Sequence, residues 1–147
     1  MIVRRFDHWG GSLYAHVSVV LGDPEPVIDT EVKDTVVQAV NVRFADAPTL
    51  MGALARTFLC LERGSSPAEK PDVAFLIHLS GERSFRRALD ECAPEGDEFV
   101  LVVGGREEER VKEVLSSLPD FDVIEEFPEK EEIRRERLPR VSLPSLK

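Results

Sequence analysis

The hydrophobic and polar positions of this chain change period several times, and each change predicts an element. Ser12 to Leu21 alternates, with Tyr14, His16 and Ser18 between apolar residues. It reads as a strand, as does Ile2 to Phe6, with Gly10-Gly11 as the turn between them. Asp23-Pro-Glu-Pro26 reads as a loop, and Thr35 to Phe44 alternates again as a third strand. Leu50, Met51, Leu54, Phe58 and Leu61 then recur at helical spacing. Asp46 and Pro48 supply the start signals of this helix and Gly64 a stop. Asp72 to Leu79 is apolar nearly all round, as in a short buried helix, and Gly81 marks the turn into the next one. There Phe85, Ala88, Leu89 and Cys92 fall at i, i+3, i+4 and i+7, which predicts one buried stripe with Arg83, Arg86 and Arg87 opposite it. Glu98 to Val103 has the continuous apolar run of an interior strand. Arg106 to Leu118 reads as an exposed amphipathic helix and Phe121 to Glu125 as a last short strand.

Together these elements predict one α/β domain of the α+β kind over residues 1–127, a small mixed or antiparallel sheet packed with helices. Residues 128–147 form a charged, proline-bearing C-terminal tail. Glu129 to Arg137 reads as a charged helical turn or two, and Leu138 to Lys147 as a loose or partner-ordered end.

Composition narrows the function. With 147 residues, 42% hydrophobic and 32% charged, the chain is long enough to bury a core without staples. No apolar run approaches the roughly 18 residues that a membrane span needs, so the expectation is a cytoplasmic protein without membrane contact. Cys60 and Cys92 do not make a disulfide framework and read as reduced thiols in helices. His8, His16 and His78 have no cysteine or carboxylate at ligand spacing, which argues against a metal. His78 precedes Ser80-Gly81, but no nucleophile elbow surrounds that serine. Gly104-Gly105 reads as a tight turn, because Glu107, Glu108 and Glu109 would repel a phosphate at the following helix start. No catalytic set and no cofactor site emerges, and the expectation is a protein that is not an enzyme.

The net charge of −9 argues against a nucleic-acid binder until its distribution is considered. Between Val36 and Ala93 the bases Arg43, Arg56, Arg63, Lys70, Arg83, Arg86 and Arg87 match seven acids, so the whole excess lies elsewhere. Guanidinium groups on a rigid helix suit phosphate or carboxylate, since the fork donates two parallel hydrogen bonds. The competing reading is a solvated face on which these arginines pair with Glu82, Asp90 and Glu91.

A longer pattern favours the first reading. Val40-Asn-Val-Arg-Phe-Ala-Asp-Ala-Pro-Thr-Leu-Met-Gly-Ala-Leu-Ala-Arg56, followed by Phe75-Leu-Ile-His-Leu-Ser-Gly-Glu-Arg-Ser-Phe-Arg-Arg-Ala-Leu89, resembles the PRPK-binding subunit family of the KEOPS complex. Ser80-Gly81-Glu82-Arg83 matches the start of that family's Ser-Gly-x-Arg-Gln-Ile motif, and Ala88-Leu89 matches its end. The chain departs from it with Ser84-Phe85 in place of Gln-Ile, with Ala74 in place of an acidic residue, and with the tail in place of a C-terminal helix. The resemblance covers residues 36–126. It implies a non-catalytic accessory subunit of the machinery that makes N6-threonylcarbamoyladenosine on tRNA, one that binds the KEOPS kinase subunit and the 3′ end of tRNA. Arg83 is the one tRNA contact that the motif carries over. Arg86, Arg87, Arg56 and Arg63 join it from helical spacing alone, with Phe58 and Phe85 as the nearest rings for stacking a single-stranded tail. A partner face left unused in the isolated chain would allow a homodimer. The alternative is a protein–protein adaptor without RNA contact, and a small enzyme ranks last for want of convergent polar groups.

Overall fold

The computed structural model describes residues 1–8 and 11–127. The expected Gly10 of the first turn, the charged turns from Glu129 and the tail from Leu138 lie outside the described residues. Strand β1 (Arg4–His8) pairs antiparallel with the long β2 (Gly11–Leu21). A four-residue helix α1 (Glu25–Ile28) follows where a loop is expected, its first turn set by Pro26 and by Asp23 Oδ1 accepting from Glu25 N–H at 3.0 Å. Strand β3 (Thr35–Val40) is shorter than its alternation predicts. Asn41 N–H turns away to Cys92 O at 2.7 Å, and the Asn41 side chain caps a 3₁₀ turn over Val42–Phe44 instead.

Helix α2 (Ala47–Arg63) begins as its signals predict, with Asp46 accepting from Thr49 N–H and Gly64 closing it at φ 73°. Helices α3 (Pro71–Ser80) and α4 (Phe85–Cys92) follow, then β4 (Glu98–Gly105), α5 (Glu108–Ser117) and β5 (Asp122–Phe127). Every pairing is antiparallel, in the order β1-β2-β4-β3. Strand β5 lies beyond β1 along the same edge of β2, opposite Val17 to Leu21. The expected α+β class holds, and the sheet is purely antiparallel.

Strand β4 is central, and its uninterrupted apolar run has a physical cause. Val100 and Val102 face a core built with α2, α3 and α4, whereas Phe99, Leu101 and Val103 face one built with α5 and α1. Helices therefore cover both faces, and the strand needs no polar side. The strand runs through Gly104 and Gly105, which corrects the turn expected there. A Cβ on Gly104 would lie 3.1 and 3.3 Å from the methyl carbons of Leu54, so the glycine lets α2 seat directly on the sheet. On β2, His16 and Ser18 are fully buried although they occupy the polar positions of the alternation. His16 Nδ1–H donates to Ile2 O at 2.9 Å, which leaves Nε2 to accept from the Ser18 hydroxyl at 2.7 Å. Both polar groups are thereby satisfied inside the sheet. The N-terminal segment is tied down as well, since Ile2 N–H donates to Glu126 of β5 at 2.7 Å.

Gly22 stands at φ 155°, and a Cβ there would come within 2.5 Å of the Phe121 ring. That ring makes an edge-to-face contact with Phe99, their centroids 5.4 Å apart. Gly22→Ala is expected to destabilise the chain by about 2 kcal/mol, read as a lower urea midpoint.

Candidate nucleic-acid interface

The arginine segment starts from two local caps. Gly81, at φ 75°, closes α3, and Ser80 Oγ accepts from Glu82 N–H at 3.1 Å. Ser84 Oγ then accepts from Arg87 N–H at 3.2 Å, so α4 begins at Phe85. Arg83 lies in the bend before the helix and not on its face, which corrects the expectation of three arginines along one helix. Arg86 and Arg87 are separated by about 100° around the axis.

The expected stripe is half buried. Ala88 and Cys92 are enclosed, with Cys92 Sγ 3.9 Å from Leu76 O of α3. Phe85 and Leu89 are 45% and 43% exposed. The reason is that α3 is the main neighbour of α4, so one side of the stripe is covered and the other opens beside Ile28, itself 44% exposed. The other ring considered for stacking, Phe58, belongs to the core.

Among the described residues, the side chains of Arg83, Arg86 and Arg87 form no ion pair or hydrogen bond. Their expected acidic neighbour Glu91 pairs with Arg43, which also donates to the Glu91 carbonyl at 2.9 Å. Arg43 in turn stacks on Phe44, 4.9 Å from its centroid. The three guanidinium groups are exposed and retain their donors.

The arginines of α2 are placed differently. Arg56 is half-buried against α3, and its Nε and the Nε2 of His78 are enclosed with no hydrogen-bond partner among the described residues. Burial first, and then the Arg56 charge, lower the His78 pKa to about 4. Arg63 is exposed at the last turn of α2, roughly 10 Å of helix beyond Arg56. The structure thus exposes Arg83 in the bend next to Phe85, sets Arg86 about 100° and Arg87 about 160° from Phe85 around α4, half-encloses Arg56, and leaves Arg63 at the far end of α2.

An open groove adjoins this surface. It has a volume of about 300 Å³ between α1, α3 and α4, and Asp72 is among the residues that line it. Asp72 Oδ1 accepts from Val37 N–H of the edge strand β3 at 2.6 Å. Burial raises its pKa from 3.8 to about 7, opposed by that hydrogen bond. Sequence reasoning passed over Asp72, although one carboxylate in an otherwise apolar helix was the available signal.

The cysteines and histidines do not add a second site. Cys92 is buried and its thiol is pushed up to about 11, while Cys60 is half-buried. His8 Nε2 lies 3.2 Å from Arg106 Nη1, and Arg106 also grips Glu62 through two contacts of 2.8 Å. Among the described residues no group of three or more histidine, cysteine, aspartate or glutamate side chains could hold a metal ion. Among them, too, no helix is long and apolar enough to cross a membrane.

The buried imidazoles make stability depend on pH. His8 and His78 titrate at about 4 in the folded chain, and His16 is lowered by burial as well, all from 6.5. Between these values the unfolded chain binds more protons, so their contribution is full above pH 6.5 and lost as the pH falls towards 4. Asp72 opposes this, because its raised folded pKa favours the folded state at low pH and loses that contribution as pH rises towards 7. Three groups outweigh one, and the urea midpoint is expected to fall from pH 6.5 to pH 4. Asp72→Asn should steepen that fall.

Fold and surface together define an antiparallel α+β domain that exposes arginines, unpaired among the described residues, next in sequence to a half-exposed phenylalanine. No family model matches the chain, and no curated protein sequence matches it.

Proposed function

We propose that this chain is a non-catalytic accessory subunit of the KEOPS tRNA N6-threonylcarbamoyladenosine modification complex, binding the kinase subunit and the 3′ end of tRNA. One observation carries the RNA half of this reading: Arg83 and Arg86, exposed and unpaired among the described residues, flank in sequence Phe85, which is 45% exposed. Phosphates of a single strand need the forks, and its unstacked bases need the ring. The kinase half rests on the sequence resemblance. The protein acts as a holder, and the chemistry belongs to the other subunits.

A protein–protein adaptor without RNA contact is the second reading, favoured by the net charge of −9 and by the exposed Ile28 and Leu89 beside Phe85. Binding of tRNA with and without its single-stranded 3′ tail, at two salt concentrations, separates the two. Salt-sensitive binding that disappears with the tail supports the holding role. Association with the kinase subunit and no tRNA binding at either salt supports the adaptor.

A further inference from the structure

A second exposed apolar patch lies at the end of the sheet opposite β3. Val123 and Ile124 of β5 are 42% and 52% exposed, and Met1, Ile2 and Leu21 beside them are exposed as well. An open groove of about 520 Å³ adjoins them, walled in part by Met1, Val3, Leu115, Pro119, Phe121 and Val123. Among the described residues β5 pairs only with β2, so Asp122–Phe127 is an edge strand with an open outer side. We propose that this edge and its groove are covered by the chain's own C-terminal segment, residues 133–143, folded back from the end of β5. Such docking is separate from RNA holding and neither requires nor excludes it.

Reach, chemistry and charge select this occupant. The chain leaves β5 at Phe127, and twenty residues of sequence follow. Val123 lies four residues back along the strand, about 13 Å away. The five residues 128–132 can span up to about 17 Å, enough to bring Ile133 alongside Val123. From there Ile133, Leu138, Val141 and Leu143 offer apolar side chains to the groove. Between them stand Arg134, Arg135, Arg137 and Arg140, with Glu136 the one acid. The surface they meet has the opposite sign. Asp120, Asp122 and Glu125 are exposed and form no ion pair among the described residues, and Lys112 at the groove is held by Glu108 at 3.7 Å. Residues 94–127 hold eleven acids against three bases, whereas residues 128–147 hold four against six. An open edge could instead pair with the same edge of a second copy. That would bring Asp122, Glu125 and Glu126 of each chain onto one ladder with no base among them. RNA phosphates are repelled by the same acids. A basic, apolar segment of another protein would have to compete with a tethered one, whose effective concentration is on the order of millimolar.

The test attaches a nitroxide to the whole chain at Ser142→Cys in a Cys60→Ser background. Cys92 is buried with its thiol pushed up to about 11, and stays unlabelled. Amide NMR should then show paramagnetic broadening centred on Val123, Ile124 and Leu115. Mixing an isotope-labelled chain that lacks the nitroxide with an unlabelled chain that carries it should remove the broadening, which marks the contact as intramolecular. Reversing three charges of the segment, with Arg134→Glu, Arg135→Glu and Arg137→Glu, should weaken the broadening by more than about threefold at about 0.05 M salt. Adding Asp122→Arg and Glu125→Arg to that variant should restore it, an outcome that mere loss of structure cannot produce. Broadening spread evenly over the surface, or centred on another element, would overturn the docking. So would broadening at β5 that persists in the mixed sample, which would assign the groove to the same segment of a second copy.

Discussion

Arg83→Glu combined with Arg86→Glu is expected to weaken binding of tRNA carrying its 3′ tail by more than about tenfold at about 0.1 M salt. Both side chains are exposed and unpaired among the described residues, so their charges are available to phosphate and are not consumed within the fold. Each phosphate contact on a single strand contributes about 0.7 to the slope of log affinity against log salt. Loss of two contacts should therefore flatten that slope by about 1.4. The thermal midpoint should stay nearly constant, because no intramolecular partner is lost. Arg63→Glu is the informative control. It makes the same charge reversal at one position, at the far end of α2, and should alter affinity by less than about threefold. Fluorescence anisotropy of a labelled tRNA reads both variants against the unchanged chain.

The second large effect concerns the core. Leu54→Ala should destabilise the chain by about 3 kcal/mol and lower its melting temperature by about 10 °C. Leu54 is buried, and its methyl groups rest where a Cβ on Gly104 would stand. Gly104→Ala alone should cost about 1–2 kcal/mol, since Leu54 must yield to the added methyl group. In the Leu54→Ala background that methyl group enters vacated space, and most of its cost should disappear. Urea unfolding of the two single variants and the double variant measures this coupling. Simple additivity would mean that α2 does not seat on the glycine.

The same contact explains what the sequence could and could not convey. The run from Phe99 to Val103 was legible because a strand covered on both faces has no polar period. The caps of α2 were legible because Asp46 and Gly64 act through bonds within a few residues. Gly104-Gly105 was not, since the demand for glycine comes from Leu54 on a distant helix. The arginine segment failed for two different reasons. A cap at Ser84 ended the helical spacing that had joined Arg83 to Arg87, and Ser84 itself was the overlooked signal. The i, i+3, i+4, i+7 stripe correctly located Ala88 and Cys92, but periodicity cannot tell how many neighbours a helix of eight residues will have. Phe85 and Leu89 were left open because α3 alone packs closely on α4. Asp72 was visible as a residue, but its role depends on β3 lying beside α3, a long-range juxtaposition.

The central claim is that RNA is held at the bend before α4 and along that helix. Mapping amide and side-chain NMR shifts of the 16.5 kDa chain on addition of a single-stranded tRNA 3′-end RNA tests it most directly. The account predicts shifts concentrated at Arg83, Phe85, Arg86 and Leu89, fading as salt is raised. Shifts confined to α5 or β5, with this segment unmoved, would contradict it.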